Sequence, residues 1–223
     1  MPTLHLPRIT YQAAIVDLDG TMVDTLGDFV MVLNRVLIDL ALAPVVRGFV
    51  EQTIGKGSEH LLRSTLAHLG ADPGLYGKAW ALYQGHYGEI NGRHADVYPG
   101  VVEGLKALKT RGLLLACLTN KPTVFAHELL RQKGLADFFG VVFGGDAFER
   151  KKPDPLPLLK TCEALGTFPA HTLMIGDSSN DAQAARAAGC PVVLVSYGYN
   201  HGEPVDAVDA DGVVDRLDEI RLA

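Results

Sequence analysis

Five short apolar runs, separated by helix-like or polar segments, constrain the fold of this chain more than any other feature. Each run is almost continuously apolar and does not alternate with polar residues. This pattern is typical of strands that are buried on both faces of a parallel sheet. The order of strands and helices therefore predicts a doubly wound parallel α/β fold. The runs span residues 13–16, 113–118, 141–143, 172–175 and 192–195.

One interval breaks this regular alternation. Residues 17–112 lie between the first and second runs, which is far longer than a single crossover helix requires. Three helix-like segments, at 26–42, 57–69 and 75–90, fall inside it. We therefore predict a small helical cap domain at residues 24–96, inserted into an α/β core made of residues 1–23 and 97–223.

Polar side chains follow three of the predicted strands directly. Asp17 and Asp19 follow the first run, Thr119 and Asn120 the second, and Asp177 the fourth. In open parallel sheets, ligands bind beyond the carboxyl ends of the strands. We therefore expect these groups to converge on one cleft, although they lie far apart in the sequence.

The carboxylates of this set predict a metal site. Asp17 and Asp177 supply hard oxygen ligands of the kind that Mg²⁺ prefers, and a cation also relieves their mutual repulsion. Asp181 follows Asp177 by one helical turn, where it is placed to hold a metal-bound water.

The remaining polar groups predict a phosphate site. Thr119 offers a hydroxyl, Asn120 an amide donor, and Lys152 a positive charge for phosphate oxygens. Each motif alone has an ordinary structural explanation, because Asp-Gly makes turns and an acidic residue often caps a helix. The combination, with three groups directly at strand ends, favours an enzyme.

Composition excludes several other classes. The net charge is −6, from 26 acidic and 20 basic residues, and no basic tract indicates binding to nucleic acid or an anionic membrane. No apolar stretch is long enough for a transmembrane helix, and no signal peptide is recognisable. Cys117, Cys162 and Cys190 show no CxxC spacing, so we expect a reducing, cytoplasmic location.

Four segments together resemble the motifs of the haloacid dehalogenase (HAD) superfamily of phosphatases, and most closely its phosphoglycolate phosphatase group. They are DLDGTMVDT at 17–25, Thr119-Asn120-Lys121, Lys152 within KKPDP, and GDSSND at 176–181. The resemblance covers essentially the whole chain. It implies a Rossmann-like HAD core with a helical cap inserted after the first strand, in agreement with the strand pattern.

The resemblance also implies roles for individual residues. Asp17 is the nucleophile that forms an aspartyl-phosphate, and Asp19 is the acid that protonates the leaving oxygen and then the base that activates water. Mg²⁺ is bound by the side chains of Asp17 and Asp177 and by the main-chain carbonyl of Asp19. Lys152 and Thr119 stabilise the transferring phosphoryl group.

Substrate choice is expected to depend on the cap. Gly55, Lys56 and Gly57 are placed to reach the distal carboxylate of a small substrate, although the glycines equally fit a helix-entry turn. We expect 2-phosphoglycolate as substrate. The alternatives are another small phosphate ester such as a sugar phosphate, pyrophosphate, β-phosphoglucomutase-like phosphotransfer, or phosphate binding without turnover. The expected partner is a small phosphorylated metabolite, and the expected state is a monomer or homodimer.

Overall fold

The computed structural model describes residue 6 and residues 9–222. Six of its strands form one parallel sheet, as the apolar runs predict, and the other two form a short antiparallel ribbon. The strands are β1 (Ala13–Val16), β2 (Val23–Asp24), β3 (Asp96–Val97), β4 (Leu114–Leu118), β5 (Val141–Phe143), β6 (Thr172–Gly176), β7 (Val192–Val195) and β8 (Gly212–Val214).

Helices follow the strands in the order that a doubly wound fold requires. Four of them lie between β2 and β3, and the other four lie along the remainder of the chain. The helices are α1 (Leu26–Asp39), α2 (Arg47–Thr53), α3 (Ser58–His68), α4 (Tyr76–Ile90), α5 (Val101–Thr110), α6 (Thr123–Gln132), α7 (Leu156–Leu165) and α8 (Ser179–Ala188).

The order of strands across the sheet is β5-β4-β1-β6-β7-β8. The chain adds β4 and β5 on one side of β1 and then β6, β7 and β8 on the other side. Val16, the last residue of β1, is in register with Cys117 of β4 and Ile175 of β6. Because the three strands end almost level, the residues that follow them emerge side by side at one edge of the sheet.

Helices cover both faces of the sheet, which explains why the strands do not alternate with polar residues. Ala14 and Val16 pack into the same cluster as Leu129 of α6. Ile15 points to the opposite face and packs into a second cluster with Leu158 of α7. Every side chain of β1 is therefore buried, whichever face it points to.

Helices α1–α4 form a hydrophobic cluster of their own, and we call this helical segment the cap. Its interior includes Leu33, Leu62 and Tyr83, and the core chain contributes Phe125 and Tyr199 to it. Strands β2 and β3 pair where the chain enters and leaves this segment. The division of the chain into two domains at residues 24 and 96 stays a prediction.

Several element boundaries differ from the sequence-based prediction. Helix α1 ends at Asp39 and not at residue 42, since Ala41 adopts a left-handed φ of 55°. The short helix α2 was not predicted because it buries only Val50 and carries no amphipathic pattern. Helix α7 and the three-residue strand β8 were also not predicted.

No helix among the described residues is long and apolar enough to span a membrane.

Candidate active site

The ends of β1, β4 and β6 bring the predicted groups together. Lys152 provides the direct link between them, because its ammonium contacts three different segments. Its Nζ lies 2.9 Å from Asp17 Oδ1 and 2.7 Å from Asp181 Oδ1, and it donates to the Leu118 carbonyl at 2.9 Å. The predicted cleft therefore exists at the carboxyl edge of the sheet.

Three carboxylates cluster at this edge. One oxygen from each of Asp17, Asp177 and Asp181 lies within 4.8 Å of the others, and all three residues are buried. Asp17 Oδ1 faces Lys152 as an ion pair but accepts no aligned hydrogen bond. An oxygen-rich buried cluster of this kind fits a hard divalent cation such as Mg²⁺.

The electrostatics of the cluster follow from burial. Desolvation, with a smaller contribution from Asp181, raises the pKa of Asp17 to about 7 despite the neighbouring Lys152. Desolvation and the neighbouring carboxylates also raise the pKa of Asp177 well above its usual value. Burial alone lowers the pKa of Lys152, but Asp17 and Asp181 outweigh it and the pKa is raised. The protein thus holds clustered carboxylates for which a further positive charge is favourable.

Asp177 is held in place by two elements. Its Oδ1 accepts a hydrogen bond from Thr21 Oγ1 at 2.8 Å, and its Oδ2 accepts one from the amide of Tyr199 at 2.6 Å. Gly20 and Gly198 lie so close that a Cβ on either would stand within 2.4 Å of Asp177 Oδ2. Two glycines are therefore required for the close approach of the backbone to this carboxylate.

Asp181 is engaged on both of its oxygens. Its Oδ1 binds Lys152, and its Oδ2 accepts from the amides of Asp177 and Ser178 and from Ser178 Oγ at the start of α8. It therefore acts as a helix cap and anchors the lysine. Its predicted contact with a metal-bound water stays a prediction.

A partly open cavity lies between this edge of the sheet and the cap. The core contributes Asp17, Asp19, Thr119, Asn120 and Lys121 to its lining, and the cap segment contributes Phe29, Ile54, Gly55, Gly57, Ser58 and Leu61.

Thr119 and Asn120 both reach the cavity, but Asn120 also joins the core to the cap. Its side-chain amide donates to the carbonyls of Gly55 and Lys152, both at 2.9 Å, and its Oδ1 accepts from the Lys152 amide. Thr119 Oγ1 accepts a hydrogen bond from the amide of Lys121. The hydroxyl hydrogen of Thr119 remains available as a donor.

The three predicted cap residues are placed differently from one another. Gly55 and Gly57 line the cavity with φ of 102° and 88°, as a helix-entry turn requires. Lys56 is exposed and lines a separate outer groove with Glu59 and Glu149. The structure therefore does not bring Lys56 to the catalytic edge.

Lys121 is the residue that sequence reasoning missed. Its side chain is 1% exposed, and its Nζ lies 2.8 Å from Asp19 Oδ1 and in hydrogen-bond contact with the Tyr87 hydroxyl. The ammonium also lies over the rings of Phe29 and Tyr87, at 4.7 and 4.9 Å from their centroids. The available signal was its place in the motif after β4, directly following Asn120.

Comparison with known proteins assigns the class. The model of the family described as haloacid dehalogenase-like hydrolase matches residues 14–195, from the second residue of β1 to the end of β7, and this span includes the whole acidic cluster. The chain belongs to the haloacid dehalogenase-like hydrolases, and the prediction from the four motifs is confirmed.

Within this family the chain is a phosphatase-type hydrolase, similar to proteins named phosphoglycolate phosphatase. It is 44% identical to that of Thiobacillus denitrificans, over 95% of this chain and 94% of the relative. It is 43% identical to that of Nitrosospira multiformis, over 97% and 96% of the two chains. A solved structure described as a predicted phosphoglycolate phosphatase from Haemophilus somnus 129PT matches with a TM-score of 0.88 and 32% identity, covering 94% and 96%.

Proposed function

We propose that the protein is a Mg²⁺-dependent phosphomonoester hydrolase that acts through an aspartyl-phosphate on Asp17, with 2-phosphoglycolate as its substrate. The observation that carries this proposal is the buried cluster of Asp17, Asp177 and Asp181 around Lys152, at the carboxyl ends of adjacent strands. The names of the relatives at 43% and 44% identity support the choice of substrate.

The metal is proposed to be bound by Asp17 and Asp177, with the main-chain carbonyl of Asp19 as a further ligand. When bound, Mg²⁺ supplies positive charge to phosphate oxygens and to the carboxylates. The fit rests on oxygen donors, on burial, and on the raised pKa of Asp17 and Asp177.

The protein's own groups carry the proposed reaction. Asp17 attacks phosphorus, while Lys152 and the hydroxyl of Thr119 bind the non-bridging oxygens. Asp19 protonates the leaving oxygen as its bond to phosphorus breaks, and the resulting carboxylate then takes a proton from the water that hydrolyses the aspartyl-phosphate. The location of Asp17 and Asp19 on one cavity wall supports this division of roles.

The position of the cavity bears on how substrate enters. Because both the core and the cap segment line it, we expect the cap to move away before substrate binds and to return afterwards. Hydrogen exchange in residues 53–57 and 91–96 should slow when a phosphate analogue is bound. Equal exchange with and without the analogue would count against cap closure.

The function is tested by a panel of phosphate esters that includes 2-phosphoglycolate, sugar phosphates, pyrophosphate and p-nitrophenyl phosphate. We expect turnover with Mg²⁺, none with chelator, and none in Asp17→Asn. A higher kcat/KM for a sugar phosphate or for pyrophosphate would overturn the choice of substrate alone. Full activity of Asp17→Asn would overturn the mechanism.

A further inference from the structure

Lys121 has an unusual environment for a lysine beside a catalytic site. Lys121 belongs to the α/β core, yet its ammonium contacts Asp19 and lies over two aromatic rings of the cap, those of Phe29 and Tyr87. The nearby Asp28 carboxylate is already bound to the amides of Gly92 and His94. Among the described contacts, Asp19 is therefore the carboxylate that pairs with Lys121.

We propose that Lys121 recognises a carboxylate attached directly to the phosphate-bearing carbon of the substrate, and so determines the specificity of the enzyme. This inference rests on the proposed function, because it assigns a residue to the carboxylate of an α-phosphooxy acid. The recognised class includes 2-phosphoglycolate.

The argument begins with the position of the Lys121 ammonium. It lines the cavity between core and cap, and its side chain is only 1% exposed. In the described contacts, Asp19 and the Tyr87 hydroxyl use two of its three N–H donors, so one donor is left for a group of the substrate. At a buried positive charge, an anionic group of the substrate is favoured over a neutral one.

The connectivity of the substrate places that anion correctly. In an α-phosphooxy acid the carboxyl carbon is two bonds from the leaving oxygen. Asp19 must contact that leaving oxygen, and Lys121 Nζ lies 2.8 Å from Asp19 Oδ1. The carboxylate of the substrate therefore lies within reach of the ammonium without any movement of the lysine backbone.

No other lysine of the described chain fits this position as well. Lys152 is committed to Asp17 and Asp181 on the phosphate side. Lys56 is exposed in a groove that it shares with Glu59. Lys121 is the lysine in the lining of the cavity between core and cap.

The test compares kcat/KM for 2-phosphoglycolate with that for its carboxamide and for ethyl phosphate, which both lack the carboxylate. In Lys121→Met we expect a loss on the order of 100-fold for 2-phosphoglycolate, and much smaller losses for the two esters without a carboxylate. A purely structural role of Lys121 would lower all three values equally, and that result would overturn the inference.

Further variants keep the test decisive. Lys121→Gln provides the same comparison if Lys121→Met does not fold, and Lys160→Met removes an exposed lysine as a control. If Lys56→Met loses the preference for 2-phosphoglycolate over its amide while Lys121→Met keeps it, the assignment to Lys121 is overturned. If the wild type does not prefer 2-phosphoglycolate to its amide, the proposed substrate fails as well, and the two failures are thereby distinguished.

Discussion

Lys152 Nζ lies 2.7 Å from Asp181 Oδ1, and the two side chains are only 2% and 1% exposed. The same nitrogen contacts Asp17 at 2.9 Å. Asp181 in turn caps the first turn of α8 through its second oxygen. The Lys152 ammonium that faces Asp17, the proposed nucleophile, is therefore positioned by Asp181. Asp181 is itself held in place at the N-terminus of α8.

Replacing this lysine should affect stability as well as activity. Lys152→Met leaves Asp17 and Asp181 buried without their cation, and we expect the free energy of unfolding to fall by about 3 kcal/mol. Denaturant unfolding measures this loss, and turnover should disappear. Lys160→Met is the control, because its exposed pair with Glu163 contributes little. Unchanged stability of Lys152→Met would contradict the role of the ion pair.

The stability of the metal-free protein should fall as pH rises. The pKa of Asp17 is raised from 3.8 to about 7, so between these values the folded state holds a proton that the unfolded state has lost. Mg²⁺ favours the ionised form and opposes this loss. The increase in Tm caused by Mg²⁺ should therefore be larger at pH 8 than at pH 5. Equal increases in thermal unfolding scans at both pH values would argue against the cluster as the metal site.

Gly198→Ala should weaken metal binding without disturbing the fold elsewhere. The added Cβ would stand 2.2 Å from the Cβ of Asp177, so the carboxylate has to move. We expect the Kd for Mg²⁺ to rise by about 10- to 100-fold, as measured by titration calorimetry. Gly140→Ala is the matched control, since nothing lies within 4 Å of its added Cβ. Similar Kd values for the two variants would refute the expected displacement.

Asn120→Ala should loosen the contact between core and cap. The variant loses the hydrogen bond to the Gly55 carbonyl and leaves both main-chain groups of Lys152 without their side-chain partner. We expect a destabilisation of about 1–3 kcal/mol and faster amide exchange in residues 53–57.

Asn34→Ala provides the comparison for this effect. Asn34 binds the main chain of Val45 inside the cap and does not bridge to the core. Its loss should accelerate exchange near residue 45 and leave residues 53–57 unchanged. If Asn34→Ala accelerates exchange in residues 53–57 as strongly as Asn120→Ala does, then Asn120 is not a specific link between core and cap.

The sequence predicts the core of the site because that part depends on strand ends. Asp17, Thr119 and Asp177 converge because each follows a buried apolar run, and the sheet brings those runs side by side. Lys152 is predicted from its motif rather than from a strand. Its link to Asp181 follows only from the fold, since it depends on where α8 starts relative to the preceding loop.

The contacts between core and cap could not be predicted in the same way. Whether Lys56 or Lys121 faces the cavity depends on how four helices pack over the sheet, and no spacing in the sequence encodes that orientation. Tyr87 packs against Tyr83, but its hydroxyl also contacts Lys121.

The aromatic rings around Lys121 bear on how new specificities are engineered in this family. A chimaera that joins this core to a helical segment from another enzyme would keep the lysine but lose the faces of Phe29 and Tyr87. The transplanted segment would have to supply equivalent rings at the same height above Asp19. Grafting experiments should therefore treat these two aromatic residues and the lysine as one inherited unit, even though the sequence places them on opposite sides of the graft boundary.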